Sequence, residues 1–463
     1  MKQNKKIHIL GICGTFMGSL ALIAKSLGFD VSGSDKEAYP PMGDLLKSQG
    51  IEIYQGYDEK QLSIYKPDEI IIGNALGRGH LVVEAILNEK LPFKSGPQWL
   101  YENVLAKKKV IAISGTHGKT TTTAMVIKIL DDAKLNPSFL IGGVANDFPL
   151  SSRITDSEYF VIEADEYDTA FFDKRSKFVH YSPDILIMNN LEFDHADIFE
   201  NLDQIKRQFH HLIRVMPKNA SVIFNSDDQN LKAVLDQGLW SEAISFGYLN
   251  NHQQNLNHWH YKILKEDCSL FEVYYKDKKQ GEISWDLIGK HNLYNALAAI
   301  AASFRAGVDP NVAINALNQF RGVKRRLENF YTKDHVYFYD DFAHHPTAIE
   351  TTLKSMRNKI GQAQLIAILE PRSNTMKMGI HQKVLADALK IADHIFVFQP
   401  ENVGLQWLDV FNNSKLNDQV SISDSVDKII KNLPKVIKNE AHVVIMSNGS
   451  FDQIYEKIKK IEL

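Results

Sequence analysis

Residues 115–120 read Gly-Thr-His-Gly-Lys-Thr, and these residue types in this order suit the phosphates of a nucleoside triphosphate. They follow the apolar run Val110-Ile-Ala-Ile-Ser114 and lead into Thr121-Thr-Thr-Ala-Met-Val-Ile-Lys-Ile-Leu130, a strand–loop–helix pattern. A glycine loop that opens a helix aims backbone N–H groups and the positive end of the helix dipole at one point. Lys119 adds a point charge there, and Thr120 offers a hydroxyl to a Mg²⁺ ion. The set expected to hold the nucleotide, ATP or GTP, is Gly115, Thr116, His117, Gly118, Lys119, Thr120 and Thr121. Only Thr116 and His117 separate the two glycines, where the longer phosphate loop of switch GTPases has four residues, so that class is disfavoured.

Two acidic segments follow apolar runs further along. Tyr159-Phe-Val-Ile162 leads into Glu163-Ala-Asp-Glu-Tyr-Asp168, and Ile185-Leu-Ile-Met188 leads into Asn189-Asn-Leu-Glu-Phe-Asp-His-Ala-Asp197. Carboxylates at the C-terminal ends of strands, beside a phosphate loop, are placed to hold Mg²⁺. Thr120 and Glu163 are the expected ligands of one ion. His195, between Asp194 and Asp197, is expected at a second. With no serine or cysteine nucleophile in view, Lys119, Glu163 and His195 point to phosphoryl transfer. A carboxylate acceptor would give an acyl phosphate, which an amine could convert to an amide; kinase chemistry stays open at this level.

The elements that must position these groups fall into three parts. Near the N-terminus, the strand Ile7-His-Ile-Leu10, the turn Gly11-Ile-Cys-Gly-Thr-Phe-Met-Gly18 and a helix over residues 19–27 read as a Rossmann-like half. Strands at residues 29–32 and 69–72 continue it. The glycines are spaced G-x-x-G-x-x-x-G rather than G-x-G-x-x-G, which departs from a dinucleotide-cofactor loop yet suits a diphosphate at a helix N-terminus. Residues 1–6 followed by this apolar stretch imitate a secretory leader, but Gly11, Gly14, Gly18 and Lys25 interrupt it, so a buried strand and helix are expected. The central part carries the phosphate loop, a polar stretch over about 221–286 expected to form a side sheet, and a helix from residue 290. After the basic segment Arg321-Gly-Val-Lys-Arg-Arg326, strands at 336–339, 365–368, 395–398 and 443–446 form a second doubly wound unit. The expected class is α/β with three domains: residues 1–107, Rossmann-like with a loop suited to a diphosphate; 108–325, a P-loop ATPase unit; and 326–463, Rossmann-like again.

The chain has 463 residues, 44% hydrophobic and 24% charged, long enough for two or three cores. A formal net charge of −3 gives no general attraction to nucleic acid or anionic membrane. Two cysteines, Cys13 and Cys268, fit a reducing cytoplasm.

The motifs in order resemble the Mur ligase family, the ATP-dependent amide-bond formers of bacterial cell-wall precursor assembly. The resemblance spans essentially the whole chain. It rests on the N-terminal glycine loop with Gly33-Ser-Asp35, the loop at 115–120, residues 163–168 and 190–197, Lys290-His-Asn-Leu-Tyr-Asn295, Arg325-Arg-Leu-Glu328 and residues 340–346. It implies that Gly11, Cys13, Gly14, Thr15, Phe16, Met17 and Gly18 hold a UDP diphosphate, with Ser34, Asp35 and Asn74 completing the UDP-sugar site. Asn292 and Asn295 are implied near the adenine, and Arg326 and Asp341 near ATP. His344, Arg372 and Asn374 are the implied contacts of an incoming peptide. Residues 172–181 and 369–379 are most similar to members that join UDP-N-acetylmuramate to the murein tripeptide L-Ala-γ-D-Glu-meso-diaminopimelate during murein recycling. The alternative within the family is the L-alanine-adding ligase. Lys206 does not stand at the spacing of the carbamylated lysine of some members, so no carbamate is expected. An NAD-dependent oxidoreductase and a non-hydrolysing P-loop regulator are the rivals outside the family.

Overall fold

The computed structural model describes residues 5–38, 42–249, 257–372, 382–399, 419–438 and 440–462, together with Met376, Trp407, Phe411 and Leu416. Lys6–Leu10 is the middle strand of a five-stranded parallel sheet, between Asp30–Asp35 and Glu69–Ile72, with Glu52–Gln55 and Phe93–Ser95 outside them. Ile7, Ile9 and Leu10 are fully buried, which explains a near-continuous apolar run in place of alternation. The helix that follows covers Thr15–Ser26. It starts four residues before the expected position because Gly14 adopts an extended conformation and caps it directly.

The phosphate-loop strand Lys109–Ser114 lies between Tyr159–Glu163 and Ile185–Met188, parallel to both. The two acidic segments therefore leave the sheet on either side of the loop, at the edge where open α/β sheets bind ligands. Beyond Ile185–Met188 the ladder continues in parallel through Ser221–Asn225, Glu242–Phe246 and His258–Ile263, then turns antiparallel at Leu270–Tyr275 and Lys278–Ser284. This corrects the expected side sheet: the strands from Ser221–Asn225 to Lys278–Ser284 extend the same ten-stranded sheet. Their polar content marks exposed positions such as Lys278, Lys279 and Glu282 near its outer edge.

The third sheet has five parallel strands, ordered Val336–Asp341, Ala441–Met446, Gln364–Leu369, His394–Phe398 and Val420–Ser423, with Glu328–Lys333 antiparallel at one edge.

The cores follow from these layers. Helices Lys119–Asp132, Lys290–Arg305 and Pro310–Asn318 bury their apolar faces on one side of the central sheet, in a cluster with Ile111, Ile187 and Ile223. On the other side, Ala112, Phe160 and Leu186 share one buried cluster with Ile12, Leu20 and Trp99 of the N-terminal unit. Ser19 and Ser151 hydroxyls pair across the same boundary at 2.9 Å. The C-terminal sheet is covered on its two faces by separate clusters, one of which takes in Ile288 from the central unit. No helix among the described residues is long and apolar enough to cross a membrane.

Candidate active site

The phosphate loop is shaped by glycine and by its neighbours. Gly118 caps the helix Lys119–Asp132 at φ +79°, and a Cβ added there would stand 2.5 Å from Asn295 Oδ1. Such a position is closed to other residues on both counts. Asn190 holds the loop like a strand partner: its Oδ1 accepts from His117 N at 2.7 Å, and its amide donates to His117 O at 3.1 Å. Thr116 Oγ1 accepts from Glu192 N at 2.9 Å, and Asn189 donates to Thr122 Oγ1 at 2.8 Å. Thr121 lies buried in the first helical turn. Asn295 Oδ1 accepts from Asn189 at 3.3 Å, on the side of the loop where a Cβ at Gly118 would stand. Asn292 donates to Ile288 O at 2.8 Å, within its own helix turn.

Thr120 Oγ1 donates to Glu163 Oε1 at 3.0 Å, and the other oxygen of Glu163 accepts from Gly142 N at 2.7 Å. Burial raises the Glu163 carboxyl above its usual range, against the pull of Lys119. A buried oxygen pair of this kind fits a small hard cation: adjacent ligands of an octahedral Mg²⁺ at 2.0–2.1 Å stand ~2.9 Å apart. Lys119 Nζ bonds Glu166 Oε2 at 2.8 Å, and His195 Nε2 lies 3.2 Å from Glu166 Oε1. One carboxylate thus joins two of the expected catalytic residues. Burial alone would lower both bases, but Glu166 holds Lys119 and His195 above their ordinary values. His195 sits at φ +56°, a conformation a non-glycine residue keeps only where its surroundings enforce it. Its ring packs on Tyr167 at 4.2 Å. Glu166 and Asn190 were not singled out from the sequence, where each is one of several like residues in its segment. Lys206 pairs with Asp203 at 3.6 Å along its own helix.

At the N-terminal loop, Gly11 N and Ile12 N both donate to Ser34 O, at 2.8 and 3.2 Å. Asp35 braces the turn from behind, accepting from Cys13 N at 2.8 Å, Lys36 N at 2.8 Å and Tyr57 OH at 3.3 Å. The Ser34 hydroxyl is buried against His8, 3.3 Å away, so its side chain supports the strand and its carbonyl holds the loop. Gly14 lies between Gly11, whose oxygen accepts its N–H, and Gly18, which donates to Gly14 O. Thr15 and Asn74 are exposed, while Phe16 and Met17 pack over Gly96.

From the third sheet, Asp341 reaches the boundary with the central unit. Burial pushes its carboxyl up to about 6, against the pull of Arg326. The Arg326 guanidinium packs over Phe342 at 4.9 Å; burial lowers it, while Asp341 and Glu163 act the other way. Arg325, by contrast, is spent inside the C-terminal unit on Asp340, Ser447 O and Gly449 O. His344 binds Phe342 O at 2.9 Å, and Arg372 lies exposed over Gly449, 3.9 Å from Glu370. Asn374 lies outside the described residues. His345 ties the units together: its Nε2 donates to Phe193 O at 3.3 Å, and its Nδ1 stands 3.5 Å from Glu192 Oε2, which His117 also approaches at 3.3 Å. The structure therefore gathers Lys119, Thr120, Glu163, Glu166 and His195 at one point. Arg326 adjoins it, interacting with both Glu163 and Asp341.

Comparison with known proteins agrees with this layout. The Mur ligase family catalytic domain matches residues 6–108, the Mur ligase middle domain 113–303, and the Mur ligase glutamate ligase domain 325–449. The UDP-N-acetylmuramate–L-alanyl-γ-D-glutamyl-meso-2,6-diaminoheptandioate ligase of Escherichia coli (strain K12) is 49% identical over 454 residues, 98% of this chain and 97% of that one. A crystal structure of a murein peptide ligase from Psychrobacter arcticus 273-4 superposes with a TM-score of 0.75 at 42% identity, covering 99% of this chain and 98% of that one. The UDP-N-acetylmuramate–L-alanine ligase of Dictyoglomus turgidum is 30% identical over 422 residues, 91% of this chain and 87% of that one.

Proposed function

The chain belongs to the Mur ligase family, and we propose that it joins UDP-N-acetylmuramate to the tripeptide L-Ala-γ-D-Glu-meso-diaminopimelate, with ATP as co-substrate, in murein recycling. The observation that carries this reading is the contrast in identity: 49% to a tripeptide ligase over nearly the whole of both chains, against 30% to an alanine ligase. We divide the chain into domains at residues 1–107, 108–325 and 326–463, on the strength of the three sheets. The reaction belongs in the cytoplasm, in keeping with Cys13 and Cys268 standing as buried thiols that are not joined in a disulfide.

The chemistry proposed is that of the family, assigned to these residues. The lactyl carboxylate of the UDP-sugar, held from the N-terminal side, attacks the γ-phosphorus of ATP. A carboxylate O–P bond forms, the bond to the β-phosphate oxygen breaks, and ADP leaves. Lys119 and the amides of residues 115–120 hold the phosphates and stabilise the charge on the transferring group. Thr120 and Glu163 are placed to hold a Mg²⁺ ion, with Glu166 and His195 beside them; such an ion supplies charge neutralisation at the phosphates. The tripeptide's alanyl amine then attacks the acyl carbon. The C–N bond forms, the bond to phosphate oxygen breaks, and phosphate and a proton are released. Arg326 and Asp341 bring the third domain over the ATP site, where excluding water protects the acyl phosphate. His344, Arg372 and Asn374 are assigned to the peptide.

Incubation with UDP-N-acetylmuramate, the tripeptide and ATP should yield the UDP-muramyl tripeptide, seen by mass spectrometry, with one ADP per product. Product formation without ATP, or ADP release without product, would overturn the assignment.

A further inference from the structure

Resting on the ligase reading, we propose that Lys177 is the binding residue for the acceptor carboxylate of the sugar substrate. Residues 172–181 stood out in the sequence, yet no part of the site described above uses them. They form the end of a two-stranded hairpin, Asp168–Ala170 with Asp173–Ser176, and a short helix, Lys177–His180. The backbone at Lys177 is fixed to the acidic segment: Lys177 N donates to Tyr167 O at 2.9 Å, and Ser176 Oγ donates to Glu166 O at 2.5 Å.

Its side chain is 13% exposed and ends where the two half-sites meet. The ammonium lies 3.1 Å from Asp165 Oδ2, 5.5 Å from the Tyr167 ring and 5.8 Å from the ring of Phe16. Phe16 stands in the first turn of the helix that the N-terminal glycine loop opens. Asp165 stands between Glu163 and Glu166, and Tyr167 packs on His195. Lys119 is committed to the phosphate loop and Arg326 comes from the third domain. Lys177 borders both the sugar-side loop and the acidic cluster.

The reaction needs such a group. A carboxylate and a triphosphate repel, yet their reacting atoms must come within ~3–3.5 Å. A fixed ammonium on the carboxylate's side lowers that repulsion and aims the oxygen. Without substrate, Asp165 supplies the counter-charge that a nearly buried lysine requires. The substrate carboxylate then enters a place already arranged for an anion.

The test compares two nucleotide sugars. UDP-N-acetylglucosamine lacks the lactyl carboxylate that UDP-N-acetylmuramate carries. Equilibrium binding to the full chain should favour UDP-N-acetylmuramate by about 10-fold or more, the scale of a hydrogen bond to a charged group. Lys177→Met should abolish that preference while ATP binding is kept, and Lys177→Arg should retain part of it. Lys177→Gln serves equally should the Met variant fail to fold. An unchanged preference in the folded Met or Gln variant overturns the proposal, as does equal weakening of both sugars, the mark of a merely structural lysine. A wild-type chain that makes no ligated product fails the ligase reading itself; product formation with an unchanged preference fails only the role of Lys177.

Discussion

In the proposed reaction Lys119 is the residue on which the phosphate chemistry turns, and its surroundings explain how it is held. Glu166 pairs with it at 2.8 Å. Lys119→Ala should lower kcat at least ~100-fold, the loss expected for a key electrostatic donor, as measured by ADP release. Asp341 gives a pH-dependent prediction. Its carboxyl is pushed up to about 6 by burial, against about 3.9 in an unfolded chain. Between those values the native state holds the extra proton, so this group's contribution to stability falls as pH rises through the window. Asp341→Asn removes that penalty: its stability advantage over wild type should grow from about pH 4 to about pH 6 and then level off, as read by thermal unfolding. Chemistry was legible here wherever a residue type is rare in its context. Lys119 between glycine and threonine, and His195 between two aspartates, were visible in the sequence. Glu166 was not, because one carboxylate among four neighbours reveals its partner only when the loop closes on Lys119.

At the scale of elements, the decisive piece is the turn from strand to helix at residues 115–118. Gly118→Ala combines a left-handed backbone, costing roughly 1–2 kcal/mol, with a clash against Asn295 Oδ1 at 2.5 Å. It should weaken ATP binding in an equilibrium titration and lower the unfolding temperature. Gly14→Ala should leave the unfolding temperature unchanged, since Gly14 has a negative φ and the nearest atom to an added Cβ is Gly11 O at 3.4 Å. Strands buried on both faces, such as Ile185–Met188, announce themselves as apolar runs. The short outer strands Glu52–Gln55 and Phe93–Ser95 do not, because their pairing comes from the neighbour rather than from their own pattern. The same physics hid the continuity of residues 221–284 with the central sheet: polar side chains on an outer strand are compatible with a separate sheet and with an extended one.

At the scale of the whole molecule, the N-terminal and central units share a buried cluster, whereas the C-terminal sheet buries its faces largely among its own residues. Residues 1–325 and 326–463, made as separate chains, should each unfold cooperatively by circular dichroism. Residues 1–107 alone should not, because Ile12, Leu20 and Trp99 lose the partners Ala112, Phe160 and Leu186. A third domain with cores largely its own suits the proposed closure over an acyl phosphate and release of product. In the proposed reaction the closed enzyme accepts a tripeptide. The most direct measurement is kcat/KM for ADP release with UDP-N-acetylmuramate saturating, comparing L-Ala-γ-D-Glu-meso-diaminopimelate with free L-alanine. The tripeptide should be preferred by at least ~100-fold, about 2.7 kcal/mol in transition-state binding. A preference for free L-alanine would contradict it.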